Sequence, residues 1–307
     1  MPRVVVIGSA NIDFTVAVPR LPGVGETISG GTFHVSHGGK GANQAVAARR
    51  LGAEVRFVGC LGKDPNGDRI AERLMEEGIA PGGLIRIDDE PTGIALIIVD
   101  REGRNQIAVA PGANRRLLPE LVERERRHLA WAQVLLCQLE TPLPTVQWAL
   151  AAARSHGAVT LLNPAPACAL AEETLRLVDC LTPNASEAEA LTGVVVDRPE
   201  QAEEAARQLL ARGVGRVIVT LGAQGALVSD GASASHLPAF PVEPVDTTGA
   251  GDAFNGALAV ELAAGRAWGE AVPLASAAAA LSCTRRGAQT SFPDRSEVEA
   301  FLRRLER

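Results

Sequence analysis

"VDTTGAGDAFNGAL" (residues 245–258) sets two acids, Asp246 and Asp252, around the small residues Gly249, Ala250 and Gly251, then enters an apolar, helix-like run at Ala253-Phe254. The first turn of a helix carries backbone N–H groups without intrahelical partners, and their partial positive charge makes an anion seat. Residues with little or no side chain let an oxyanion approach those groups closely. The stretch therefore reads as a phosphate cradle with a carboxylate at its edge. Asp252 would stand beside a transferring phosphoryl group, placed to take a proton from an attacking hydroxyl, while the N–H groups of Gly249, Ala250 and Gly251 hold transition-state charge. A helix-start position favours the ionised carboxylate, which predicts a weak base. Asp in a first helical turn is equally a good capping residue, and this motif alone does not separate the two readings.

Outward from this stretch, short apolar runs alternate with helical periodicity. Strands are predicted at Val4–Gly8, Val55–Gly59, Val134–Leu139, Val159–Asn163 and Arg216–Leu221, with a strand-like region at Leu237–Val245 leading into the quoted motif. Helices are predicted at Asn66–Gly78, where Ile70, Leu74 and Met75 share a face, and at Gln201–Gly213, where Ala205, Leu209 and Leu210 form a stripe. The expected fold class is α/β: a Rossmann-like, mostly parallel central sheet flanked by helices on both faces. In such sheets ligands collect at the carboxyl ends of the strands, where the quoted motif falls. Two regions break the rhythm: Phe14–Val35 is rich in Gly and Pro, and Ile94–Ala110 reads as a hairpin around Asp100–Arg104. They are expected to pair as a small antiparallel sheet, a lid formed by about 14–36 and 93–111 on a single domain spanning 1–307.

The composition excludes several classes. The chain has 307 residues, 46 % apolar and 21 % charged, with a net charge of −6, so no basic footprint for nucleic acid exists. No run of eighteen apolar residues offers a membrane span, and the start "MPRVVVIGSA" has no secretory signal of the usual form. Cys60, Cys137, Cys168, Cys180 and Cys283 form no CxxC pair and read as buried free thiols in a reducing cytoplasm. A dinucleotide-binding oxidoreductase is excluded because the position after the first strand reads "GSANID", without the GxGxxG fingerprint.

A second glycine-rich stretch, "HGGKGANQAVAARRLG" (37–52), places glycines and a lysine before a helix but lacks the Gly-Lys-Ser/Thr of a Walker A loop. Together, "GGKGANQAVAARRLG" and "DTTGAGDAFNGAL" resemble the two signature segments of the ribokinase-like (phosphofructokinase B) carbohydrate kinases. "GSANID" (8–13), "LNPAPA" (162–167), "TPNASEAEALTG" (182–193) and "TRRGAQTS" (284–291) extend the resemblance in register along the whole chain. It implies transfer of a phosphoryl group from ATP to the 5-hydroxyl of D-ribose. Another sugar or a nucleoside as acceptor, or a non-catalytic sugar-binding regulator, stand as alternatives.

The resemblance also implies roles. Asn11, Asp13, Gly39, Lys40, Gly41, Ala42, Asn43, Glu140 and Asp252 match sugar-contacting positions. On their own, Asn11 and Asp13 also read as turn formers and Glu140 as a solvated strand end. Asn184 and Glu187 match an NxxE element that orients waters around Mg²⁺ on the nucleotide phosphates, and equally fit a capping box. Thr220, Leu221, Gly222, Ala223, Gln224 and Gly225, with Gly251, match nucleotide-phosphate contacts, and Ser276 an adenine contact. Asp246, Thr248, Ser282, Arg285, Gly287 and Ser291 match positions that hold an activating K⁺, Arg285 and Gly287 through backbone oxygen. The implied partners are a small sugar, ATP and a second copy of the chain paired through the lid.

Overall fold

The structure, a computed structural model, describes residues 1–305; the last two positions of the expected 1–307 domain lie outside the described residues. The chain begins β1 (Arg3–Ile7), β2 (Asn11–Ala17), β3 (Thr32–Gly38), α1 (Lys40–Arg50), β4 (Glu54–Gly62), α2 (Pro65–Glu76), β5 (Leu84–Ile87), β6 (Gly93–Val99) and β7 (Asn105–Ala110). It continues through α3 (Pro119–Glu123), α4 (Arg126–Trp131), β8 (Val134–Cys137), α5 (Leu143–Ser155), β9 (Val159–Leu162), α6 (Glu172–Leu175), β10 (Cys180–Leu181), α7 (Ala185–Thr192) and α8 (Pro199–Ala211). It closes with β11 (Val217–Thr220), β12 (Ala226–Ser229), β13 (Ala234–Leu237), α9 (Ala250–Ala263), α10 (Trp268–Ser282) and α11 (Arg295–Leu305).

Continuous apolar strands make a sheet that must be covered on both sides, and that is what forms. The nine-stranded sheet runs β13-β12-β11-β10-β9-β8-β1-β4-β5, parallel from β5 to β11, with β12 and β13 added antiparallel at one edge. The central strand shows the logic: Val4 and Val6 enter one core, and Val5 and Ile7 enter the other. The first core lies under α1 and α9, the second under α5 and α8. Helix α9 is apolar nearly all round because it packs on both α1 and α10.

The predicted mostly parallel sheet is borne out, and two local expectations are corrected. The second sheet has the order β3-β2-β6-β7, and while β2–β3 and β6–β7 are antiparallel, β2 and β6 run parallel. Both strands leave the main body in the same direction, so their junction cannot be antiparallel. The region Leu237–Val245 is not a strand: β13 ends at Leu237 and irregular backbone with three prolines, Pro238, Pro241 and Pro244, carries the chain to α9. Among the described residues, no helix is long and apolar enough to cross a membrane.

Strand β1 lies between β4, which follows it in the chain, and β8, which starts the opposite half of the sheet. At this switch point the loops leaving β1 and β8 diverge and open a crevice at the carboxyl edge. Helix α1 enters that crevice closely, with Ala42 N–H donating to the Ser9 carbonyl at 2.8 Å. A Cβ on Gly41 would lie 2.6 Å from Ser9 N and 2.7 Å from Gly8 C, both backbone atoms that cannot move aside. Gly41→Ala is therefore expected to cost roughly 1–3 kcal/mol through overpacking, read as a lower midpoint in urea unfolding with an unchanged slope.

Candidate active site

Beside the crevice, over the ends of β9, β10 and β11, lies a cavity of about 170 Å³ whose walls include Lys40, Asn184, Glu187, Thr220, Asp252 and the segment Gly249–Gly251. Two helices point their N-termini at it. Gly39 caps α1, and Gly249 caps α9 with φ +79°, a left-handed conformation that a side chain would disfavour. Gly249, Ala250 and Gly251 line the cavity at the start of α9, where the Ala250 N–H donates to the Thr247 carbonyl at 3.2 Å.

Asp252 lies in the first turn of α9 and is 6 % exposed. Its Oδ2 accepts from Asn43 Nδ2 at 2.9 Å and its Oδ1 from Gln44 Nε2 at 2.9 Å. Burial pushes its pKa up; Lys40, Asn43 and Gln44 pull it down, Glu140 adds to the rise, and the net direction is upward. This corrects the expected helix-start carboxylate of ordinary or low pKa, because desolvation outweighs the helix terminus and its donors. Lys40 moves the other way from its own burial. Desolvation would lower it, but Asp252, Glu140 and Glu187 together raise it and keep it charged.

The positions that match sugar contacts lie beside Lys40 and Asp252. Glu140 lies beyond the end of β8, half-buried, and one of its oxygens accepts from both Ser9 Oγ and Lys40 N–H. It is a clasp between the β1 loop and the start of α1 rather than a solvated strand end. Asn11 opens β2, buried, its Oδ1 accepting from Asn114 Nδ2 at 2.7 Å. Asp13 follows on the same face of β2, where burial, then Glu140 and Asp252, raise its pKa to about 6. Neither residue is a turn former. Gly39, Gly41, Ala42 and Asn43 are the cap and first turn of α1.

On the opposite wall, Asn184 and Glu187 form a reciprocal capping box at the start of α7. Asn184 Oδ1 accepts from Glu187 N–H at 2.8 Å, and Glu187 Oε2 accepts from Asn184 N–H at 2.9 Å. Both still line the cavity, so the capping and ligand-facing readings coexist. Burial raises the Glu187 pKa, against the pull of the Asn184 N–H and Lys40. Of the Thr220–Gly225 loop, Thr220 reaches this cavity; Leu221, Gly222, Ala223, Gln224 and Gly225 make the turn into β12 outside it. Ser276 sits half-buried on α10, away from the cavity lining.

Of the six positions matched to a monovalent cation, Thr248 and Gly287 hydrogen-bond the carboxylate of a third, Asp246. Asp246 Oδ1 accepts from Thr248 N–H and Oγ at 2.9 and 2.7 Å, and Oδ2 from Gly287 N–H at 2.8 Å. Those donors outweigh burial and hold Asp246 below its ordinary value. Ser282 and Ser291 hydroxyls donate to the Ala279 and Ala288 carbonyls, leaving their own lone pairs unspent by those bonds. The Arg285 guanidinium turns away to Glu297. Among the described residues, no group of three or more His, Cys, Asp or Glu side chains could hold a metal by itself.

The sequence reading missed the carboxamides behind Asp252. Gln44, Asn163 and Gln138 are buried and hydrogen-bonded to one another around it. One signal was available: Lys40, Asn43 and Gln44 share a helical face at i, i+3 and i+4, a polar stripe where a core-facing one is expected. Cys60, Cys137 and Cys180 are buried free thiols as expected, but Cys283 is half-buried and Cys168 is exposed.

Asp13 carries a stability cost with a defined pH window. The unfolded chain ionises it near 3.8, whereas the folded chain holds its proton up to about 6. Below that window both states are protonated and no penalty exists. As pH rises through it, the unfolded state loses the proton first, so stability falls until the penalty is complete above about 6. Asp13→Asn should therefore stabilise the sugar-free protein at pH 7 by about 1–3 kcal/mol and leave stability at pH 3 nearly unchanged, measured by urea unfolding at the two pH values.

The model of the pfkB family carbohydrate kinases matches residues 1–295. Ribokinase of Haemophilus influenzae is 42 % identical over 297 residues, covering 97 % of both chains. A deoxyribokinase of Salmonella typhi is 36 % identical over 300 residues, covering 97 % of this chain and 98 % of the relative. Among solved structures, Arabidopsis thaliana ribokinase complexed with ribose and ATP superposes with a TM-score of 0.92 at 35 % identity, covering 98 % of each chain. With the signature residues gathered at one crevice and the match running nearly end to end, the chain belongs to the pfkB family of carbohydrate kinases.

Proposed function

We propose that this ATP-dependent sugar kinase transfers the terminal phosphoryl group of ATP to the 5-hydroxyl of D-ribose. The observation that carries the reading is Asp252: a buried carboxylate, fixed by two amides, one residue beyond the small-residue helix start that faces the same cavity. Names of relatives favour a pentose: ribokinases at 37–42 % identity, with a deoxyribokinase at 36 % keeping 2-deoxyribose as the second reading.

Asn11, Asp13, Asn43 and Glu140 bind the sugar hydroxyls, with Gly39, Lys40, Gly41 and Ala42 forming the adjoining wall. Asp252 accepts the proton of the attacking hydroxyl, and its raised pKa brings it closer to neutral pH than a surface Asp, a better match for proton acceptance. The N–H groups of Gly249, Ala250 and Gly251 receive charge as it moves onto the phosphoryl oxygens. Lys40, charged and without a salt bridge among the described residues, faces the same space. Thr220 and Gly251 border the nucleotide phosphates, with the 221–225 turn and Ser276 farther along the nucleotide.

The donors present suit Mg²⁺ held through water: Glu187 and Asn184 line the cavity, and no carboxylate cluster is there to strip the ion's hydration. When bound, Mg²⁺ neutralises phosphate charge. The oxygens around Asp246 suit K⁺, whose effect is to order the 282–291 loop against the start of α9. The second sheet acts as a lid over the sugar. Its exposed Phe33, Val35, Leu96, Ile107 and Val109 support pairing with a second copy.

Asp252→Asn should lower kcat by about 10²–10⁴-fold while ribose binding persists, measured by ADP release and by calorimetry. Unchanged turnover would overturn the mechanism. A sugar panel run with and without K⁺ tests the acceptor: ribose should give the highest kcat/KM, and a better 2-deoxyribose or nucleoside would replace it. Light scattering at micromolar concentration should show a dimer; a monomer would sink the pairing.

A further inference from the structure

From Asn163 on the cavity wall, a chain of buried carboxamides with a fixed direction runs behind Asp252. Asn163 Nδ2 donates to the backbone carbonyl of Thr182 at 3.1 Å. A backbone carbonyl cannot turn into a donor, so Asn163 must present Oδ1 to its other neighbour. That neighbour is Gln44, whose Nε2 donates to Asn163 Oδ1 at 3.1 Å and to Asp252 Oδ1 at 2.9 Å. Reversing the Gln44 amide would set its oxygen against two acceptors. Gln44 Oε1 is therefore committed to the far side, where it accepts from Gln138 Nε2 at 2.6 Å.

The chain ends at a cost. Gln138 Oε1 is buried with no hydrogen-bond partner, resting where a Cβ on Gly8 would come within 2.1 Å. A buried acceptor left unpaired is expensive, and turning the Gln138 amide over would place its oxygen against Gln44 Oε1. The molecule thus keeps a strained terminus that preserves the sense of every bond leading to Asp252. A purely structural polar cluster would have no reason to retain it.

We infer that Gln44 is a positioning residue for the reaction, its N–H held toward Asp252 by Asn163 and the Thr182 carbonyl so that the carboxylate is fixed and kept ionised. The inference rests on the proposed role of Asp252 as proton acceptor. The groups facing Asp252 are Lys40, Asn43 and Gln44 from α1, Glu187 from α7, Glu140 after β8 and Asp13 from β2. Three of these carry negative charge when ionised and oppose ionisation of Asp252, so the Gln44 donor works against them beside Lys40 and Asn43.

The test reads Asp252 directly. Its carboxyl carbon is followed by ¹³C NMR across pH in the ligand-free full-length protein, with Asp252→Asn identifying the signal, and the acid limb of kcat/KM for ribose is measured alongside. Gln44→Met, which removes the donor without adding charge, should move the Asp252 titration upward by about one unit, a tenfold change in ionisation constant. Gln44→Glu should move it further, and Asn163→Leu, which frees the Gln44 amide to turn, should move it in the same direction. KM for ATP in Gln44→Met should stay within about twofold, since the change acts through Asp252 rather than the nucleotide. If one substitution fails to fold, either of the others carries the measurement. A wild-type Asp252 titration in the folded variants, with only the melting temperature altered, overturns the inference. If the titration moves and the kinetic acid limb does not, Gln44 still sets the ionisation of Asp252, but the reading of Asp252 as proton acceptor falls and the role of Gln44 in the reaction falls with it.

Discussion

Lys40 stands among Asp252, Glu140 and Glu187, and the balance among these four charges governs the rest of the site. Burial alone would favour the uncharged forms of Lys40, Asp252 and Glu187. Together they hold one another: the carboxylates raise Lys40, and Lys40 pulls Asp252 and Glu187 down without fully offsetting their desolvation. The acids outnumber the base, which leaves the ligand-free crevice short of positive charge. A nucleotide polyphosphate, on the proposed reading, brings still more negative charge to the same space. On the proposed reading, the inward-facing N-termini of α1 and α9 and the cations that accompany the nucleotide restore the balance.

That electrostatic arrangement depends on a steric one. The crevice exists because the loops leaving the paired strands β1 and β8 diverge at the sheet's switch point, and it is narrow because α1 starts almost in contact with the backbone of Gly8 and Ser9. Glu140 bridges the gap, one oxygen serving the Ser9 hydroxyl and the Lys40 N–H together. The same clasp that seats the helix therefore fixes where Lys40 enters. Stability and site geometry share these contacts, and Asp13 shows the tension between them: its carboxylate is held in a place that favours its neutral form.

Signals carried by backbone chemistry were legible in the sequence. Gly249–Gly251 before an apolar run announced the start of α9, and continuous apolar strands announced a sheet buried on both faces. Effects set by tertiary packing were not. The helix-start position of Asp252 pointed to an ordinary ionised acid, because its burial depends on α1 lying across α9, a contact between residues some 200 positions apart. Gln138 and Asn163 looked like strand-end residues, and nothing in their own neighbourhood reveals that Gln44 joins them. The parallel pairing of β2 with β6 was missed for the same reason: hairpins are local, whereas the pairing between hairpins is set by where both leave the main sheet.

That junction gives the second sheet its meaning. Strand β2 begins at Asn11, β3 ends at Gly38 and β6 begins at Gly93, and these three residues pair across one line. Asn11 is held from below by Asn114, which also hydrogen-bonds both the N–H and the carbonyl of Ala10. One end of the small sheet is thus anchored to the main body, and exposed apolar side chains are spread along the strands beyond it. A sheet moving about this line would carry Asp13, two residues along β2, while leaving Asn11 in place. On the proposed reading, the sugar would then be gripped by one fixed and one moving residue, so that closing the lid and assembling the sugar contacts are the same motion.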